Sequence, residues 1–124
     1  MAFHVEIEPR AAQDLDDIAQ YLRTTAGFDV SERWFHSMVA AIVSLNEMPF
    51  RNPSAPEAVE VDRDVRVLYH GRKNRAYKVY YTIASDTSHS GTVYVVHVRH
   101  WARKPISQDE LDNLMDDLAE GSSL

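Results

Sequence analysis

The stretch "VRVLYHGRKNRAYKVYYTI", Val65 to Ile83, decides the fold. Two runs rich in β-branched and aromatic residues, Val65–Tyr69 and Tyr77–Ile83, flank a polar segment of Gly, Arg, Lys and Asn that reads as a turn. A third such run, "TVYVVHVRH" (Thr92 to His100), follows a second turn-like segment, "SDTSHSG". Three antiparallel strands joined as a meander are therefore predicted. Side-chain alternation sends Tyr77, Val79, Tyr81 and Ile83 to one face and Lys78, Tyr80 and Thr82 to the other. The first set is expected to pack on helices, and the second to present a cation among hydroxyl and aromatic groups at a wet surface. On the last strand, Tyr94, Val96, Val98 and His100 oppose Val95, His97 and Arg99, so both faces are partly apolar.

Upstream, "FHVEI" (Phe3 to Ile7) alternates like a short strand, and Pro9 suits the first turn of a helix. Ala11, Leu15, Ile18 and Leu22 then recur at helical spacing, with Asp14, Asp16 and Asp17 in the early turns, where the helix dipole favours anions. Gly27 is placed to end this helix. A second helix is predicted from about Val30 to Glu47, with Trp34, Met38, Ala41, Ile42, Leu45 and Met48 on its apolar stripe and Pro49 as its stop. The short connection makes the two an antiparallel hairpin. Phe50 to Asp64 reads as an exposed connection. A last helix begins at Ser107, where "SQDE" has capping-box form, and Leu111, Leu114, Met115 and Leu118 line one side.

A chain of 124 residues is the size of one domain. The net charge of −6 would ordinarily argue against a polyanionic partner, but the charge is unevenly placed. From Arg66 to Lys104 there are eight basic residues (Arg66, Arg72, Lys73, Arg75, Lys78, Arg99, Arg103 and Lys104) against one acid, Asp86. The Pro105–Leu124 tail holds six acids and no base. Fields act within a Debye length of roughly 10 Å, so the basic stretch is a candidate phosphate- or acid-binding surface. The plainer reading, charges that keep a sheet face soluble, weighs about equally.

The absence of cysteine excludes disulfides, thiolate metal sites and cysteine nucleophiles, and fits a reducing cytoplasm. Glu6 and Glu8 stand where a signal peptide would carry apolar residues, and no apolar run approaches membrane-spanning length, so an intracellular protein is expected. His97 and His100 point to opposite faces of a strand, which argues against a shared metal; no metal or cofactor is expected. A histidine titrating near neutrality would instead serve as general acid or base. No nucleophile elbow, phosphate loop or dinucleotide fingerprint is present.

The order of these elements, together with "AAQDLDDIAQYL", "VRVL" followed by "YKVYYTI", and "VVHVRHWARKP", resembles the ParE/RelE superfamily of type II toxin–antitoxin toxins, often labelled plasmid stabilisation proteins. The resemblance spans about Phe3 to Lys104. It implies an α+β fold, with an N-terminal strand and helical hairpin packed on a three- to four-stranded antiparallel sheet. Residues 1–104 would form the toxin domain and residues 105–124 an acidic helical extension of it. It also implies a cognate antitoxin in the cytoplasm, a hetero-oligomer with it or a homodimer, and no membrane partner.

Two activities follow from the resemblance. ParE-like members bind and poison DNA gyrase, whereas RelE-like members cut messenger RNA on the ribosome with basic residues of the sheet. By position, Arg66 matches the family's earlier strand arginine, Lys78 stands where a strand arginine is usual, and His100 and Arg103 match a closing His-x-x-Arg. Lys78, Arg99, His100 and Arg103 are thus the catalytic candidates under the RelE-like reading. No tyrosine follows Arg103, where the ribonucleases carry one, and the lysine-rich stretch before their central strand is only partly mimicked by "HGRKNR". The ParE-like reading is favoured, with the eight basic residues as target- or antitoxin-binding candidates; a non-toxic binding module is a third reading. The acidic tail offers the basic patch another role, as an intramolecular cover or a self-association surface, through Asp109, Asp112, Asp116 and Asp117.

Overall fold

The computed structural model describes residues 3–56, 64–72, 76–87, 89–103 and 106–122, the side chains of 108 and 119–122 excepted. Strand β1 (His4–Ile7) is followed by helices α1 (Pro9–Ala26) and α2 (Phe28–Val43), strands β2 (Val65–His70), β3 (Tyr77–Thr87) and β4 (Ser90–His100), and helix α3 (Gln108–Ser122). The four strands form one sheet in the order β1-β4-β3-β2. The predicted meander is present, with β2, β3 and β4 antiparallel. β1 joins β4 in parallel, so the sheet is mixed.

The hairpin forms as its sequence requires. Gly27 takes φ 101° between α1 and α2, a conformation that costs a residue with a Cβ, and its N–H caps the Leu22 carbonyl at 3.1 Å. Ser31, buried in α2, donates its hydroxyl to the Ala19 carbonyl at 2.7 Å and ties the helices together. The second helix ends at Val43 rather than near Glu47. The chain tightens into single 3-10 turns at Ser44–Asn46 and Pro49–Arg51, with Met48 between them in the left-handed region.

Two cores result, one on each face of the sheet. Ala11, Leu15 and Leu22 of α1 and Trp34, Met38 and Ile42 of α2 pack on Tyr77, Val79, Tyr81, Val93, Val95 and Val98. On the opposite face, Leu111, Leu114, Met115 and Leu118 of α3 pack on Ala55, Val65, Val67, Tyr80 and Val96. The face predicted to be wet is therefore covered. Lys78 is 8 % exposed and Tyr80 is fully buried, because the apolar stripe of α3 gains more from burial on this face than from exposure to water.

The alternation predicted for β4 also breaks. A bulge shifts the pairing from Tyr80–His97 to Tyr81–Val95, leaving Val96 as the additional residue. Past it the facing inverts. Tyr94 and Val96 belong to the α3 core, whereas Val98 belongs to the α1–α2 core and His100 stands edge-on to Tyr77, 5.1 Å between ring centroids.

Candidate functional site: a cleft beside the open flank of β4

β1 pairs with β4 only from Thr92 to Val95, and Glu8 makes the last contact there through a 2.9 Å bond from its N–H to the Val95 carbonyl. Pro9 then starts α1, which runs alongside the remainder of β4. Between them lies a cleft of about 640 Å³. Ile18, Tyr21, Leu22, Tyr77 and Val98 supply its apolar lining; Asp14 and Asp17 face it from the helix, and Arg99, His100 and Arg103 from the strand and its exit.

At the head of the cleft Asp14 docks on β4. One carboxylate oxygen accepts the Val98 N–H at 3.0 Å and a 2.6 Å bond from Nδ1 of His97, which is fully buried. The other ring nitrogen, Nε2, receives the Nε–H of Arg99 at 3.2 Å. An arginine can only donate, so Nε2 is the acceptor and the proton sits on Nδ1, aimed at Asp14. Arg99 continues the line to Glu110 of α3 at 2.9 Å. A polar chain thus crosses from the α1 side of the molecule to the α3 side, past a His97 ring stacked on Tyr80 with centroids 5.9 Å apart.

The charges behave accordingly. Burial pushes the Asp14 carboxyl up, but the bonds from His97 and the Val98 N–H outweigh it and hold the group below the ordinary carboxylate range. Glu110 is also lowered: desolvation opposes the shift, and the Arg99 guanidinium drives it. Glu110 accepts this ion pair while its own N–H bonds the Ser107 hydroxyl at 3.1 Å and its carboxylate takes a bond from the Ser107 backbone N–H, as in the predicted capping box. The carboxylate on Arg99 is thus Glu110, next to the Asp109 singled out from the sequence.

The basic residues divide by role. Arg66 is a structural staple. It donates to the carbonyls of Phe50 and Asn52 at 3.0 and 2.7 Å, pairs with Asp64 and lies over the Phe50 ring. Lys78 and Arg99 are buried, Arg99 against Glu110 of α3 and the Lys78 ammonium 5.8 Å from the Tyr80 centroid. Arg72 and Arg103 are exposed, and His100 is half-buried at the cleft wall. Lys73, Arg75 and Lys104 lie outside the described residues. His97 and His100 face opposite ways, the first against Tyr80 and the second against Tyr77.

Sequence reasoning missed Asp14, which looked like one of three acids serving the helix dipole, and Trp101, which is half-exposed between His100 and Arg103. The signal for Asp14 was faint: of the three acids, it alone lies one position before Leu15 and four before Ile18, on the margin of the apolar stripe. Among the described residues no helix is long and apolar enough to cross a membrane.

A family profile described as "ParE toxin of type II toxin-antitoxin system, parDE" matches residues 5–105. A solved structure described as the chromosomal ParDE TA system from P. aeruginosa is similar in fold, with a TM-score of 0.62 over 79% of this chain and 95% of that chain, at 15% identity. No curated protein matches the chain.

Proposed function

The chain belongs to the ParE toxin family of type II toxin–antitoxin systems, and from that premise we propose that it arrests growth by binding an essential protein such as DNA gyrase. Under this reading a cognate antitoxin silences it in the cytoplasm by seating a segment in the cleft between α1 and β4. Such a segment would bring apolar side chains to Ile18, Tyr21 and Leu22 and carboxylates to Arg103. Toxin and antitoxin would form a hetero-oligomer.

The observation that carries binding over RNA cleavage is the burial of Lys78 and Arg99. A phosphodiester must reach preorganised cations for them to stabilise its charged transition state. Here Lys78 is 8 % and Arg99 3 % exposed, and the Arg99 guanidinium is already engaged by Glu110 of α3. Arg99 lines the cleft with His100 and Arg103, yet it is buried and already paired, so of the four catalytic candidates His100 and Arg103 are the ones with appreciable exposed surface.

Induced expression of the chain, with and without the protein encoded beside its gene, tests the reading. Arrest relieved by the neighbour is expected, together with inhibited supercoiling by purified gyrase. New breaks in translated messages would move the assignment to the RelE-like ribonuclease, and normal growth with folded protein would leave a non-toxic binding module.

A further inference from the structure

With Lys78 and Arg99 buried and Arg66 stapled, the exposed members of the basic stretch among the described residues, Arg72 and Arg103, lie at one end of the sheet. His70, Tyr77 and His100 stand in register across β2, β3 and β4. The chain leaves the first through Gly71 and Arg72 and the last through Trp101, Ala102 and Arg103, so Arg72 and Arg103, both exposed, flank this end. Trp101 is 50 % exposed.

Its position is fixed from below. The Trp101 N–H bonds the Ala76 carbonyl at 3.1 Å, the Ala102 N–H bonds Nδ1 of His100 at 3.1 Å, and the Arg103 N–H closes a turn on the His100 carbonyl at 3.1 Å. The indole lies 6.1 Å from the His100 ring, centroid to centroid. A large aromatic side chain held on a pinned turn loses little freedom on binding, which is why Trp dominates the energetic centres of protein interfaces.

We infer that Trp101, rimmed by Arg72, His100 and Arg103, is the anchor through which the chain engages an acidic protein surface that has a pocket for an indole. The inference rests on the toxin reading and names where that toxin meets its target. Charge complementarity selects the partner's sign. The net charge bears on its class: nucleic-acid affinity grows with each phosphate neutralised, and a chain of net charge −6 is a poor start. One indole with a cationic rim is instead the usual make-up of a protein hot spot. His100 and Arg103 also line the cleft, so an antitoxin segment seated there would overlap the anchor and block the target by occupancy.

The test compares the full chain with its Trp101→Ser and Arg72→Glu/Arg103→Glu variants, for growth arrest and for affinity to purified gyrase, with thermal unfolding as the control. Both variants are expected to keep the wild-type unfolding midpoint and to lose about tenfold or more in gyrase affinity, with arrest lost in parallel. Wild-type affinity and arrest in Trp101→Ser would overturn the inference and leave the toxin reading standing. Loss of arrest by that variant, where the wild type arrests without binding gyrase, supports the anchor with a different acidic target. A harmless wild type removes the toxin reading and the inference with it. A fluorescence arm uses Trp34→Phe, which leaves Trp101 as the single reporter; Trp34 makes no side-chain hydrogen bond among the described residues. A saturable response to duplex DNA, abolished by the arginine reversals, would reassign the surface to nucleic acid and overturn the protein partner.

Discussion

Asp14 in the first helix holds the His97 imidazole through a 2.6 Å hydrogen bond, and its same oxygen satisfies the Val98 N–H that β1 stops too early to reach. One carboxylate therefore both fixes the tautomer of a buried ring and closes an open strand flank. Unpaired flank groups of this kind otherwise recruit foreign strands.

Replacing Asp14 by Ala would strand the His97 and Val98 N–H groups without an acceptor. Buried unsatisfied donors cost about 1–3 kcal/mol each, so Asp14→Ala is expected to lose roughly 2–4 kcal/mol in urea unfolding, and Asp14→Asn, which keeps one acceptor oxygen, about half of that.

Acid should destabilise the protein through the same group. A carboxyl whose folded pKa is depressed contributes its full stability above the unfolded value, about 3.9, and loses it as pH falls through the folded value. Urea midpoints measured from neutral pH downward should fall for the wild type and fall less steeply for Asp14→Asn. Glu110 is shifted in the same direction, so the variant keeps a residual slope.

α3 should behave as part of the core rather than as an appended tail. Leu111→Ala is expected to cost about 2–4 kcal/mol in urea unfolding, since the side chain is fully buried against the sheet. Glu110→Ala should cost less, about 1 kcal/mol, because that carboxylate is nearly half exposed and water screens it. Equal losses from the two would contradict this ranking.

At the β3–β4 turn, Gly91 has φ 149° and its missing Cβ would run into the Ala84 carbonyl and the Ser85 backbone. Gly91→Ala should destabilise by about 2 kcal/mol or more, because backbone rather than a movable side chain must give way. Differential scanning calorimetry reads the loss directly.

Met48 makes the opposite case. It is exposed in the left-handed region at φ 51°, ψ 51°, where a Cβ is unfavourable. Met48→Gly is expected to be neutral or to stabilise by up to about 1 kcal/mol, measured by the same unfolding assay.

What could be read beforehand follows physical range. α1 and the strands were legible because Leu15, Ile18 and Leu22, or Val65, Val67, Val79 and Tyr81, repeat within one element. The end of α2 was misjudged because Leu45 continues the helical stripe while the backbone has already tightened into a 3-10 turn. The burial of Lys78 was missed because strand alternation gives two faces without saying what covers each. α3 has an apolar stripe that must be buried somewhere, and in an α+β chain with one face already taken by the hairpin, the other face was its remaining partner. Val96 defeats alternation outright, since a bulge leaves no mark in a run of valines. The Asp14–His97 and Arg66–Phe50 contacts join distant parts of the chain, so no local pattern announces them.

The parallel pairing of β1 with β4 bears on how the molecule forms. His4 finds its partner only when Thr92 exists, so the earliest strand to leave the ribosome waits for the last one. Such distant pairings slow folding, and the unfinished chain exposes the apolar face of its hairpin meanwhile. The cleft wall built from β4 likewise cannot exist before that strand is in place, so a nascent chain has little with which to greet either antitoxin or target. Under the toxin reading, potency switches on late, after nearly all of the domain has been translated.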